Sequence, residues 1–115
     1  MRELWVDDGL PAPLAAELVR RGRPARSLSE LDLQGAADAD LLAAVAVAGA
    51  VLVTVEERLP HDRPAGATVA VVGSRGGDPA RREAVHRWAH AIASQRPGSA
   101  RRYAPDGHRA WRLAD

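Results

Sequence analysis

The chain has 115 residues, 46% of them hydrophobic, which bounds it to one domain, 1–115, with enough apolar material for a real core. It has no Cys, so disulfides and thiolate metal sites are excluded. No apolar run approaches the roughly 18 residues of a membrane span. Acids at Asp7 and Asp8 come too early for a signal peptide, so a soluble cytoplasmic protein is expected. The net charge of +1 hides an asymmetry: residues 1–60 carry 6 Arg against 10 acids, and residues 61–115 carry 10 Arg against 5 acids. An acidic half and a basic half suit a protein that holds a cation and meets a polyanion. Chance explains the split equally well.

In chain order, Glu3-Leu4-Trp5-Val6 is predicted as a short strand that ends at Asp7-Asp8-Gly9. Pro11 and Pro13 suit the start of a helix, and Leu14, Ala15, Leu18 and Val19 recur at helical spacing behind them. Gly22 stands where a helix C-cap belongs. Ala25 to Leu28 reads as a second short strand, then Ser29 to Gly35 as a loop. Asp38 precedes a helix with Leu41, Leu42, Val45 and Ala46 on its apolar face, and Gly49 ends it.

Val51 to Val55 and Ala67 to Val72 read as buried strands. Asp78-Pro79 is predicted as an N-cap and first helical residue. The helix Ala80 to Ser94 then turns Val85, Trp88, Ala89 and Ile92 inward. Arg101–Ala104 and Arg109–Leu113 flank Asp106-Gly107, a hairpin signal.

Strands alternating with helices argue a parallel α/β sheet with right-handed crossovers. Ligands bind such sheets beyond the C-terminal strand ends. Asp7 and Asp8 end the first strand, and Glu56 and Glu57 end the Val51 strand. Asp38 and Asp40 start the helix that feeds that strand, so all six carboxylates tend toward one rim.

The same positions lie in recognisable words. "LWVDDGLP" resembles the N-terminal D-E-N-L-P signature of the PIN-like toxin family related to VapC, "LQGAADADLL" its G-A-S-D-x-E-I-L stretch, and "VLVTVEERLP" its V-L-V-T-x-D-x-D-F stretch. The resemblance covers about residues 1–60. It implies a three-layer α/β/α sandwich with a mainly parallel sheet and a C-terminal β-hairpin. It also implies a Mg²⁺- or Mn²⁺-dependent ribonuclease, the toxin half of a toxin–antitoxin pair, with RNA as substrate and a small antitoxin protein as partner. A homodimer stays open.

By position in those words, Asp7, Asp38 and Glu56 would be the catalytic, metal-binding acids, with Asp8, Asp40, Glu57 and Arg58 as accessory residues. Hard divalent cations take carboxylate oxygens, and a shared ion requires these three to lie within roughly 8 Å of one another. Two departures stand out. Glu56 replaces the family's Asp and moves the carboxylate by roughly one C–C bond, about 1.5 Å. Arg58 replaces a second Asp with a cation. The alternative is therefore a PIN-like protein with weak or no catalysis, acting as an RNA- or protein-binding module.

Bland readings compete at each site. Asp7 could be turn chemistry, Asp38 a helix N-cap, Glu56 a solvated loop acid, and Gly9 a turn glycine. His86 and His90 at i, i+4 lack the Glu and third ligand of a zinc helix, and Arg81, Arg82 and Arg87 read as a solvated face. A phosphoacceptor receiver domain is excluded, because all 16 basic residues are Arg and that chemistry needs a lysine.

Overall fold

The computed structural model describes residues 2–59, 66–73 and 76–104, and the backbone of 107–110. Among the described residues the strands and α-helices follow in the order β1 (Leu4–Val6), α1 (Leu14–Arg20), β2 (Ala25–Ser27), α2 (Asp38–Ala48), β3 (Val51–Thr54), β4 (Thr68–Val72), α3 (Gly77–Ala93), β5 (Ala100–Ala104) and β6 (Gly107–Ala110). They build one sheet of order β2-β1-β3-β4-β5-β6. The first five strands are parallel and β6 pairs antiparallel with β5. The expected turn between those two, at 105–106, lies outside the described residues, as does Leu113.

Buried on both faces, β3 and β4 are continuous apolar runs broken only by Thr54 and Thr68. Strand alternation divides the core in two. Leu4, Val6, Val51, Val53, Ala70, Val72 and Tyr103 face α1 and α3. Trp5, Leu52, Val69, Val71 and Ala100 face α2. Helices thus cover both faces of the sheet.

The crossovers do not share one hand. The steps from β2 to β3 and from β4 to β5 run the same way across the sheet. Their helices, α2 and α3, lie on opposite faces, so these two connections have opposite hands. The uniform right-handedness expected from the sequence is corrected here. The physical counterpart is the pairing of α3 with α1. Glu17 of α1, buried at 8% exposure, accepts from Arg82 through both carboxylate oxygens and lies 3.3 Å from His86 Nε2. Burial acts to raise the Glu17 carboxyl, but His86 and Arg82 outweigh it and hold it below its usual range. Arg82 is therefore an ion-pair partner of α1 rather than part of a freely solvated face.

Helix ends differ from expectation by a few residues. Gly22 (φ +80°) follows the C-cap Arg21, and Gly49 (φ +67°) closes α2, as their left-handed conformations require. Ala37, not Asp38, is the N-cap of α2, and α3 begins at Gly77 behind Gly76, so Asp78 sits in its first turn. Val19 is 54% exposed and not part of the core. Tyr103, near the carboxyl end of β5, donates to buried Gln95 at 2.9 Å, and Gln95 donates to the Val69 carbonyl near the start of β4 at 2.8 Å. Among the described residues no helix is long and apolar enough to cross a membrane.

Candidate functional site at the carboxyl edge of the sheet

The chain leaves β1 toward β2 on one side and continues from β3 toward β4 on the other, so the direction of winding reverses between β1 and β3. In open α/β sheets ligands bind in the crevice beyond such a reversal. Asp7 stands there. Its backbone N–H extends the ladder to the Val53 carbonyl at 2.9 Å. Its Oδ2 accepts from the Thr54 hydroxyl at 2.6 Å, and its Oδ1 accepts from the Asp8 N–H at 2.8 Å. Thr54 is fully buried and also accepts from the Glu56 N–H at 3.0 Å. One threonine therefore fixes both the Asp7 carboxylate and the backbone leaving β3.

Alternation along the strands decides the side. Trp5 and Leu52 face α2, so Asp7 and Thr54, each two residues further on, are on that face too. Asp38 and Asp40 open α2 on the same side, both exposed, where the helix dipole favours acids. Because α2 runs into the start of β3, its own start lies toward the C-terminal rim. The rim assignment of Asp7, Asp8, Asp38, Asp40, Glu56 and Glu57 is thus consistent with the topology.

The side chains themselves are not drawn together. Glu56 Oε1 turns back to accept from the Arg58 N–H at 3.1 Å. Glu57 pairs with Arg102 of β5 at 2.9 Å. Among the described residues no three His, Cys, Asp or Glu side chains stand together as a metal-holding group. The close three-acid group expected from the sequence is therefore not preassembled. In its chemistry the donor set still fits a hard divalent cation. Asp7 keeps a lone pair on each oxygen after its two hydrogen bonds, and Asp38 and Glu56 are exposed acids at the same rim.

Gly9 has a steric role. A Cβ there would come within 2.6 Å of Val55 Cγ2, so the Asp7-Asp8-Gly9 turn packs onto the end of β3 only without a side chain. Two features escaped the sequence reading. Arg102 enters the rim from β5, on the α2 face by its place two residues after Ala100. The Glu17–Arg82–His86 group forms between α1 and α3, on the sheet face opposite α2, beside an open cleft of about 570 Å³ lined by Arg21, Pro79, Arg82, Glu83, His86 and Arg87. The two histidines behave as packing residues: His86 meets Glu17, and exposed His90 lies 3.5 Å from Arg23.

No protein-family model matches the chain, and neither a curated protein nor a solved structure matches it. The family resemblance accordingly rests on the three motifs of residues 1–60.

Proposed function

We propose that this chain is a PIN-like, Mg²⁺- or Mn²⁺-dependent ribonuclease working at the carboxyl rim, of the toxin kind that a small antitoxin protein neutralises. The observation that carries the reading is the fixing of the Asp7 carboxylate by Thr54 at the point where the winding of the sheet reverses. The surrounding charge supports it. Six carboxylates share the rim with Arg58 and Arg102, an arrangement that repels a phosphate strand unless a cation sits between them.

Asp7, Asp38 and Glu56 would hold the ion, which when bound would polarise a phosphoryl oxygen and make a water nucleophilic near neutral pH. Asp7 is the ligand held in place beforehand. Thr54 orients it, and Asp8 supplies the backbone N–H that holds its other oxygen. Asp38 is exposed and would turn inward at the cost of side-chain ordering, and Glu56 would in addition give up its hydrogen bond from the Arg58 N–H. Arg58 stands where the resembled motif has a second acid, so its positive charge would weaken the rim's hold on the ion.

A second reading has its own support. The carboxylates of Glu56 and Glu57 are both engaged by the protein, which favours a PIN-like binding module with weak or no catalysis. Incubating the purified chain with a mixed RNA, with Mn²⁺ or with EDTA, beside the Asp7→Asn variant, separates the two. Cleavage that needs Mn²⁺ and disappears in the variant supports the ribonuclease. RNA that stays intact under Mn²⁺ while still binding the chain supports the module.

A further inference from the structure

The Glu57–Arg102 pair crosses the end of β4, which carries neither residue. Arg102 is level with Val71 of β4, and Val71 is level with Thr54 of β3. Arg102 therefore stands at the same height as Thr54, two strands away, about 10 Å at sheet spacing. It lies on the α2 face, the face of Asp7 and Thr54. The guanidinium rests beside Gly73, where a Cβ would lie 3.7 Å from its Nη2. Both partners are about half exposed, Arg102 at 44% and Glu57 at 46%. An ion pair this open contributes little to stability, so a stronger anion can displace Glu57 from Arg102.

Resting on the cation-dependent reading above, we infer that this pair is a latch that substrate opens: Arg102 is a phosphate-binding residue, and its capture by the RNA backbone releases Glu57 to the cation. Three observations meet in this. The acids are not preassembled. Glu57 is the rim acid held by a cation from another strand. Arg presents a fork that matches phosphate as well as it matches carboxylate. A phosphodiester arriving next to the one to be cut exchanges for Glu57 on Arg102. The freed carboxylate, no longer neutralised by Arg102, is then available to the cation. Cation and RNA then bind cooperatively, each strengthening the other by the same factor.

The test is Mn²⁺ titration calorimetry on the parent, Asp7→Asn, Arg102→Gln, Glu57→Gln and the Arg102→Gln/Glu57→Gln double variant. It is repeated on the parent and the two latch variants with a 2′-O-methyl RNA oligonucleotide whose intactness is checked on a gel after each titration. Arg102→Gln should tighten Mn²⁺ roughly threefold to tenfold, since it both removes a cation and frees Glu57. In the Glu57→Gln background the same substitution should gain clearly less. The oligonucleotide should tighten Mn²⁺ on the parent and on neither latch variant. An equal gain from Arg102→Gln in both backgrounds, or oligonucleotide coupling that persists without Arg102, would overturn the latch while leaving the Asp7 site standing. If no variant binds Mn²⁺, or if Asp7→Asn binds it as the parent does, the cation reading itself falls and the latch falls with it.

Discussion

Replacing Thr54 by Val keeps the buried volume and deletes only the hydroxyl. That hydroxyl donates to Asp7 at 2.6 Å and accepts from the Glu56 N–H at 3.0 Å, in a side chain with 0% exposure. A hydrogen bond to a charged group contributes about 1.5–3 kcal/mol, and an amide left without its acceptor costs on the order of 1 kcal/mol more. The expected loss is therefore about 2–4 kcal/mol, a large share of the roughly 5–15 kcal/mol that stabilises a domain. Thr54→Ser is the control. It keeps the hydroxyl and removes one buried methyl, about 0.8 kcal/mol. Urea unfolding with matched m-values measures both. Thr54→Val should be less stable than Thr54→Ser by at least about 1 kcal/mol. If Val is as stable as Ser, the Thr54 hydroxyl does not hold the rim together and the account of how Asp7 is fixed is wrong.

Glu17→Gln should lower the urea midpoint near neutral pH. The folded carboxyl lies below its ordinary range, so its contribution is present above that range and fades as pH falls through the folded value; a gap that does not narrow anywhere on the acid limb would contradict this. Burial pushes the Tyr103 hydroxyl up to about 12, against a smaller lowering by Arg101. Stability should therefore fall as pH rises from about 10 through 12, and Tyr103→Phe should flatten that limb, as absorbance titration and alkaline unfolding would show. Glu56→Asp with Arg58→Asp shortens one acid and replaces a cation with an anion at the rim. It should tighten Mn²⁺ about tenfold or more by calorimetry; an unchanged affinity would make Arg58 a substrate contact rather than a lost ligand.

Where the pattern was local, the sequence was enough. The β-branched runs of β3 and β4 and the 3.6-residue period of α3 announced themselves, and Gly22 and Gly49 marked helix ends through their left-handed geometry. The N-caps were harder. Asp38 and Asp78 have the right chemistry, yet Ala37 and Gly76 hold those positions, because cap geometry depends on how the preceding loop enters. Glu17 left a signal that went unread. At i+3 from Leu14 it shares the apolar stripe with Leu18, and a carboxylate on such a stripe needs a partner; Arg82 and His86 supply it 65 and 69 positions away. The hand of the α3 crossover follows from that same long-range packing and has no local trace. The rim was legible as a set of acids at strand and helix ends. Where their side chains point was not, because Glu56 answers to an amide two residues away and Glu57 to Arg102 across the end of β4.

The central claim is that Asp7 is the fixed ligand of a divalent cation. Calorimetric titration of Mn²⁺ into the parent chain and into Asp7→Asn tests it most directly. The account predicts saturable binding by the parent and a loss of at least about tenfold in the variant, equivalent to about 1.4 kcal/mol. Equal binding by both proteins, or none by the parent, would contradict it.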